Sequence, residues 1–163
     1  MSQNAIITGA NRGIGKSMVS AFAEAGYDIW ACARSASDDF ENELGELGNR
    51  TGATIVPIYF DLAKEDEIKD GVKKIFSEKR NIDVLINNAG VSYQGLMMTT
   101  PVSKMREVFE VNVFSQITLM QLISRKMIKQ KGGCIINMCS VGGINTTPGS
   151  FAYSTSKNIY IYM

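Results

Sequence analysis

Tyr153 and Lys157 form a Tyr-x-x-x-Lys pair thirteen residues after Ser140, and these three side chains could together act on a carbonyl group. Hydride delivery to a ketone builds negative charge on the oxygen, so the reaction needs a nearby acid. A free tyrosine, with a pKa of about 10, is a weak acid near neutral pH. On a helix, Lys157 would lie on the same face as Tyr153, and a positive charge there favours the phenolate. The pair therefore indicates a proton donor for carbonyl chemistry.

The composition excludes several other kinds of catalytic site. The chain contains no histidine, so Ser-His-Asp triads, histidine–zinc sites and histidine general bases are impossible. Its three cysteines, Cys32, Cys134 and Cys139, lack C-x-x-C spacing and fall in apolar runs, which predicts buried free thiols. We therefore expect no metal site.

Length and charge limit the domain number and the partners. A chain of 163 residues with 45% hydrophobic and 20% charged residues is expected to form one domain, residues 1–163. The net charge of +1 indicates neither a nucleic-acid partner nor an anionic membrane. The apolar runs are no longer than strands, which predicts no membrane span, and no signal segment opens the chain. These features predict a cytoplasmic protein.

Short apolar runs alternate with amphipathic stretches of helical length. The predicted strands are Ala5–Thr8, Asp28–Ala33, Thr54–Phe60, Val84–Ile86 and Cys134–Met138. The predicted helices are Gly13–Ala25, Asp38–Leu47, Lys64–Glu78 and Val102–Lys129. Apolar strands separated by helices are typical of a parallel sheet covered on both faces. The sequence therefore predicts a doubly wound, Rossmann-like α/β fold with strand order 3-2-1-4-5.

A glycine-rich turn follows the first predicted strand. Free N–H groups at the start of a helix attract an anion, and glycines allow a pyrophosphate to approach the backbone closely. The predicted binding residues are Gly9, Asn11, Arg12, Gly13, Ile14 and Gly15. The spacing is G-x-x-x-G-x-G rather than G-x-G-x-x-G, so a turn that binds nothing remains an alternative.

A P-loop is a second alternative for the same turn. Gly15, Lys16 and Ser17 match the end of G-x-x-x-x-G-K-[ST], but the first glycine would have to stand at position 10, which is Ala10. A P-loop enzyme also needs an acidic residue after a later strand to hold Mg²⁺. Asp61 closes the third predicted strand, so this alternative stays open.

The residues after the second predicted strand indicate the preferred cofactor. A site that selects NAD usually carries an acidic residue there for the ribose 2′-hydroxyl. This chain instead has Arg34 and Ser35, with no carboxylate before Asp38. Arg34 and Arg12 together would suit the 2′-phosphate of NADP, whereas Arg34 alone could be an ordinary surface charge. The sequence predicts NADP(H).

Six motifs in order resemble the short-chain dehydrogenase/reductase family, and in particular its ketoacyl-carrier-protein-reductase type. The motifs are Thr8-Gly9-x-x-x-Gly13-Ile14-Gly15, Asp61-Leu62, Asn87-Asn88-Ala89-Gly90, Asn112, Ser140 and Tyr153-x-x-x-Lys157. The resemblance implies that Asp61, with Leu62 beside it, accepts a hydrogen bond from the adenine amino group. It also implies that Asn88, Ala89 and Gly90 line the adenosine ribose.

The same resemblance implies the catalytic roles. Ser140 would hydrogen-bond the substrate carbonyl, Tyr153 would protonate it, and Lys157 would hold the nicotinamide ribose. Asn112 would anchor a water molecule in a proton relay. The implied activity is NADP(H)-dependent reduction of a small-molecule or acyl-carrier-bound carbonyl, or oxidation of a secondary alcohol.

Family members continue well beyond the Tyr-Lys helix, whereas this sequence has six residues after Lys157. The resemblance therefore implies a domain that lacks the last strands and the substrate lid of the family, with strand five as an exposed edge. A second hypothesis follows: a catalytically incompetent member that only binds nucleotide or a partner chain. We also expect a homo-oligomer, through that edge and an apolar helical stripe. The stripe comprises Val108, Val111, Phe114, Ser115, Thr118 and Leu122.

Overall fold

Five apolar segments of four to seven residues form a parallel sheet in the computed structural model, which describes residues 2–162. The strands are β1 Gln3–Thr8, β2 Tyr27–Ala33, β3 Ile55–Tyr59, β4 Val84–Asn87 and β5 Cys134–Asn137. Their spatial order is β3-β2-β1-β4-β5, and every neighbouring pair is parallel. The predicted α/β class and strand order are confirmed.

Helices connect the strands and cover both faces of the sheet. They are α1 Gly13–Glu24, α2 Asp38–Thr51, α3 Glu65–Ser77, α4 Val102–Phe109, α5 Ser115–Gln130 and α6 Phe151–Asn158. The observed ends agree with the predicted ones within two residues, apart from α2. This helix runs to Thr51 because Gly52, at φ 76°, ends it in a left-handed conformation that glycine adopts easily. No helix within residues 2–162 is long and apolar enough to cross a membrane.

Alternate residues of each inner strand belong to separate apolar layers. Ile6, Trp30 and Leu85 pack with buried residues of α3 and α5 on one face. Their neighbours Ile7 and Ile86 pack with α1 and α2 on the other face. Successive side chains of a strand point to opposite faces, so a strand buried on both faces must be apolar throughout. This requirement explains the continuous apolar runs.

The outermost strand β5 is only half covered. Its four residues alternate between exposed and partly buried, and Ile136 is 39% exposed. Cys134 in this strand and Cys139 just after it are exposed, and only Cys32 is buried. The expectation that all three thiols are buried is therefore wrong for two of them. The reason is that β5 is paired on one side only, whereas β2, which carries Cys32, is central.

The long predicted helix Val102–Lys129 contains a change of hydrogen-bond pattern. Between α4 and α5, residues Glu110–Phe114 form a π turn, in which Ser115 N–H bonds to Glu110 O. A π turn adds one residue and rotates the helix faces. The predicted apolar stripe is consequently divided: Val108 and Ser115 are buried inside the chain, whereas Phe114 is 53% exposed. Only part of the stripe is therefore exposed, and association through it stays a prediction.

Candidate active site

The turn between β1 and α1 leaves the start of the helix open. Gly9 and Gly13 have φ values of 66° and 56°, which residues other than glycine rarely adopt. Arg12 precedes the first helical residue, and no side chain caps the helix there. The first N–H groups of α1 are therefore not capped by a side chain, and anion binding there stays a prediction.

Gly15 allows this turn to lie close to the end of β4. A β-carbon at Gly15 would collide with the carbonyl oxygen of Gly9 and the side-chain amide of Asn88. The Asn88 amide in turn donates to the Thr8 carbonyl oxygen over 2.9 Å. Gly15 thus allows the turn to pack closely against Asn88. Gly9 and Gly13 instead provide the positive φ angles of the turn.

Thr8 joins the two strand ends, a role that the sequence analysis did not assign. Its Oγ1 atom accepts hydrogen bonds from the backbone N–H groups of Asn88 and Ala89, each 3.0 Å long. Its own hydroxyl donates to the carbonyl oxygen of Ile86. A buried threonine at the end of a strand, directly before a glycine turn, is the sequence signal that could have indicated this role.

A cleft of about 520 Å³ opens above these strand ends. Eleven predicted cofactor-binding residues line it: Gly9, Asn11, Arg12, Gly13, Ile14, Arg34, Asp61, Leu62, Asn88, Ala89 and Gly90. Residues that the sequence analysis did not select also line it, among them Cys32, Ser35, Phe60, Val91 and Val111. The structure thus brings the predicted residues from four separate segments together at the carboxyl edge of the sheet, where ligands of open α/β sheets bind.

The charges in the cleft favour a phosphorylated ligand. Arg12 and Arg34 line it, and within residues 2–162 neither forms a salt bridge. Asp61 is the only carboxylate among its lining residues. One oxygen of Asp61 accepts a hydrogen bond from the N–H of Ala63, at 2.9 Å. Two guanidinium groups and an uncapped helix start therefore fit the phosphates of a dinucleotide.

The position of Lys16 argues against the P-loop alternative. Its ammonium lies 2.7 Å from Glu43 of α2. It lines a groove between α1 and α2, not the cleft above the strand ends. The lysine of a P-loop reaches the phosphates, and here the lysine points elsewhere.

Ser140 and Tyr153 meet at Gly142. Ser140 begins a short 3-10 turn, Val141–Gly143, and its Oγ accepts the N–H of Gly142 at 3.1 Å. A β-carbon built on Gly142 would lie 3.3 Å from Ser140 Oγ and 3.5 Å from Cε1 of Tyr153. The two side chains thus border one space, although they come from different elements.

Asn112 and Lys157 meet in the same way at Gly90. A β-carbon on Gly90 would lie 3.2 Å from Oδ1 of Asn112 and 3.5 Å from Nζ of Lys157. Gly90 also lines the nucleotide-sized cleft. The position of this glycine therefore connects the predicted catalytic residues to the predicted cofactor-binding residues.

Asn112 is fully buried in the π turn and its side chain is fully engaged. Its Oδ1 accepts the N–H of Val91 at 2.8 Å, and its Nδ2 donates to the Val91 carbonyl oxygen at 2.9 Å. The same amide nitrogen donates to Ser156 Oγ at 2.9 Å. Asn112 therefore ties the loop after β4 to α6. Its main-chain oxygen accepts the hydroxyl of Tyr160, a contact that the sequence analysis missed.

Lys157 is 4% exposed and has no carboxylate partner within the described chain. Its Nζ donates to the carbonyl oxygen of Met138 over 2.9 Å. Burial lowers the pKa of this lysine, and the neighbouring Cys139 opposes that change. The Tyr160 ring lies with its centroid 5.0 Å from Nζ. The lysine is thus held in a largely dehydrated position on α6, the helix that also carries Tyr153.

A metal ion finds no candidate site in the part of the chain that the structure describes. Residues 2–162 contain no group of three or more His, Cys, Asp or Glu side chains that could hold one.

Comparison with known proteins indicates the family to which this chain belongs. The family model described as short chain dehydrogenase matches residues 3–162. The 3-oxoacyl-[acyl-carrier-protein] reductase FabG of Staphylococcus epidermidis is 32% identical over 157 residues, which cover 96% of this chain and 64% of that reductase. Dehydrogenase/reductase SDR family member 7B of Rattus norvegicus is 34% identical, over 94% of this chain and 48% of the rat protein. The chain thus spans less than two thirds of the length of these relatives.

Solved structures show the same fold. A short-chain type dehydrogenase/reductase from Mycobacterium marinum superposes with a TM-score of 0.88 at 31% identity, covering 98% of this chain and 65% of that one. The L-sorbose reductase from Gluconobacter frateurii, complexed with NADPH and L-sorbose, gives a TM-score of 0.92 at 25% identity, with 99% of this chain and 61% of that one covered. Because the family model matches residues 3–162, nearly the whole of this chain, the chain belongs to the short-chain dehydrogenase family.

Proposed function

We propose that residues 1–163 form one dinucleotide-binding domain and that the chain is an NADP(H)-dependent oxidoreductase. It would reduce a carbonyl group or oxidise a secondary alcohol. The observation that carries this proposal is the pair of meeting points: Ser140 with Tyr153 at Gly142, and Asn112 with Lys157 at Gly90. The second of these borders the nucleotide-sized cleft.

The preference for NADP(H) follows from charge. Arg34 lies at the end of β2, where an acidic residue would favour NAD, and Arg12 lies in the glycine turn of the same cleft. A planar guanidinium pairs well with phosphate oxygens. The L-sorbose reductase of Gluconobacter frateurii, similar in fold, was crystallised with NADPH.

The chain's own residues supply the acid. Bound NADPH would provide the hydride. The Ser140 hydroxyl accepts the Gly142 N–H and keeps its own hydrogen free to hold a substrate carbonyl oxygen. Tyr153, beside the same glycine, would donate the proton to that oxygen as negative charge builds on it. Lys157 lies at i+4 from Tyr153 on α6, and its ammonium would stabilise the phenolate that remains.

The names of the relatives guide the substrate proposal. Similarity to 3-oxoacyl-[acyl-carrier-protein] reductases favours an acyl-carrier-bound carbonyl, and similarity to L-sorbose reductase favours a small keto sugar. We propose a carbonyl substrate from one of these two classes, acted on by a homo-oligomer. The exposed edge of β5 supports association of this kind.

A second candidate is a protein that binds nucleotide or a partner chain without turnover. Val141 and Ile144, next to Ser140, are 76% and 73% exposed. A catalytic site usually excludes water from the reacting atoms. The open side of Ser140 therefore favours this alternative over a closed, active enzyme.

Two measurements on the same protein separate the candidates. Fluorescence titration would give the dissociation constants of NADPH and NADH, and loss of NADPH absorbance with a β-ketoacyl thioester or L-sorbose would give turnover. An oxidoreductase should bind NADPH more tightly than NADH and oxidise it with one of the two substrates. Binding without turnover would support the second candidate. No binding of either nucleotide would refute the oxidoreductase and the nucleotide-binding form of the second candidate, and would leave only a protein that binds a partner chain.

A further inference from the structure

Tyr160 is a buried phenol whose environment the proposed chemistry does not explain. It lies three residues after Lys157 in the 3-10 turn Ile159–Ile161. Its side chain is 9% exposed, whereas those of Ile161 and Tyr162 are 47% and 85% exposed. The Tyr160 side chain thus points into the chain while the residues that follow it face outward.

The hydroxyl of Tyr160 donates to the main-chain oxygen of Asn112 in the π turn. A π turn shifts the helical hydrogen bonds, and buried carbonyl groups near it need other partners. The adjacent carbonyl of Val111 accepts the side chains of Ser115, at 2.6 Å, and Gln116, at 3.4 Å. In the same way, the Tyr160 hydroxyl supplies a hydrogen bond to the Asn112 carbonyl oxygen. This bond ties the π turn to the segment that follows α6.

The ring of Tyr160 contacts the Lys157 ammonium. The distance from Nζ to the ring centroid is 5.0 Å, within the range of a cation–π interaction. The other partner of this ammonium is the Met138 carbonyl oxygen. An ammonium group buried without a carboxylate needs such partners to remain charged. One side chain therefore contacts both residues that meet at Gly90.

We propose that Tyr160 is a positioning residue of the site: its ring holds the Lys157 ammonium, and its hydroxyl holds the π turn that carries Asn112. Neither contact reaches the substrate side of the site at Gly142. This role rests on the proposed function, because it matters to catalysis only if Lys157 and Asn112 serve the reaction.

Two substitutions separate the ring from the hydroxyl. Tyr160→Phe keeps the ring and removes the hydrogen bond, whereas Tyr160→Leu removes both. Tyr160→Met is a second ring-free variant of different shape, for use if the leucine variant does not fold. Wild-type-like circular dichroism and thermal melting would identify the variants that are suitable for comparison.

The first readout is the titration of Lys157, followed by NMR through its 13C-labelled ε-carbon in the nucleotide-free protein. Lys157→Arg identifies the signal, because that variant lacks it. The titratable groups next to Lys157 are Cys139 and Tyr160 itself, and Tyr153 lies four residues earlier on the same helix. Because the ring stabilises the charged form, its loss should move the titration midpoint of Lys157 down by about 0.5–1 pH unit in the ring-free variants. Tyr160→Phe should leave that midpoint in place.

The second readout is amide hydrogen exchange in the π turn. Tyr160→Phe should accelerate exchange around Glu110–Phe114 by about 3–10-fold, the effect of losing one hydrogen bond. Exchange in α2, which packs on the opposite face of the sheet from α5, serves as the internal control. An unchanged Lys157 midpoint in a folded ring-free variant, or unchanged exchange in Tyr160→Phe, would overturn the proposal.

Both readouts use the free protein, so they separate this inference from the proposed function. A wild-type chain that binds no NADPH, with both effects present, would refute the oxidoreductase while the contacts of Tyr160 stand. A chain that binds and oxidises NADPH, with neither effect present, would refute the role of Tyr160 alone.

Discussion

The two ends of the candidate site differ in how completely the chain surrounds them. On the nucleotide side, β1, β2 and β4 are central strands whose side chains are almost all buried, and the glycine turn packs against Asn88. On the substrate side, β5 is an edge strand with exposed residues, and Val141 beside Ser140 is 76% exposed. The nucleotide side is therefore supported by packing from both layers, whereas the substrate side depends on a few hydrogen bonds.

Removal of the Tyr153 hydroxyl should give the largest effect and should leave the nucleotide side intact. In a chain with measurable turnover, we expect Tyr153→Phe to lower kcat by about 10²–10⁴-fold, the usual contribution of a positioned acid. The dissociation constant of NADPH should change little. Lys157→Ala provides the contrast, since it should lower both kcat and the affinity for NADPH. Retention of most of the activity by Tyr153→Phe would rule out Tyr153 as the acid.

Gly15→Ala should damage the nucleotide side alone. Its β-carbon would collide with the Gly9 carbonyl oxygen and the Asn88 amide, so the turn must shift. We expect NADPH affinity to fall by about 10–100-fold and the melting temperature to drop.

Gly45→Ala is the matched control for this substitution. Gly45 lies within α2, and a β-carbon there meets no atom within 4 Å. This variant should keep its affinity and gain about 0.5–1 kcal/mol of stability, as is usual for alanine in a helix. Equal NADPH binding by the two variants would show that the close approach at Gly15 is unimportant.

Arg34→Asp reverses the charge at one position that lines the cleft on the nucleotide side. Because the guanidinium is expected to face the 2′-phosphate, NADPH affinity should fall by about 10-fold, and the preference over NADH should narrow or reverse. Fluorescence titration with both nucleotides provides the measurement. Arg125→Asp on α5, which is exposed and outside the cleft, is the control for the change in charge. If the wild-type chain binds NADPH and NADH equally, the argument from Arg12 and Arg34 fails.

Substitutions at the candidate interfaces are expected to have the smallest effects, and these effects concern self-association. We predict that the chain is not a monodisperse monomer, because β5 presents an unpaired edge with no charged residue. Ile136→Lys would place a charge on that edge. The apparent association constant, measured by light scattering, should fall by several-fold. Phe114→Ser, on the helical surface, distinguishes the two candidate interfaces. A stable monomer of the wild-type chain at tens of micromolar would contradict the prediction.

The sequence predicted the nucleotide side better than the substrate side, and the reason is physical. Strand order, the glycine turn and the residues of the cleft follow from local patterns, such as continuous apolar strands and glycines between a strand and a helix. The π turn at Asn112 could not be predicted, because it adds only one residue and the apolar periodicity of Val102–Lys129 is that of one long helix. The exposure of Cys134 and Cys139 depends on which strand has no second neighbour, a property of the whole sheet. The role of Tyr160 could not be predicted from its place three residues after Lys157. Its hydroxyl bonds to the Asn112 carbonyl oxygen, and that contact depends on the position of the π turn.

The hydrogen bonds of Thr8 have a consequence for the order of folding. Thr8 and Asn88 are 80 residues apart in sequence, and the bonds between them fix the end of β1 beside the turn. Contacts of such long sequence separation form late, because the loop that they close must first lose its conformational freedom. A chain emerging from the ribosome could therefore complete β1, α1 and β2 well before its nucleotide turn is locked. We expect nucleotide to bind only after β4 has docked. Added cofactor should therefore lower the unfolding rate constant more than it raises the folding rate constant.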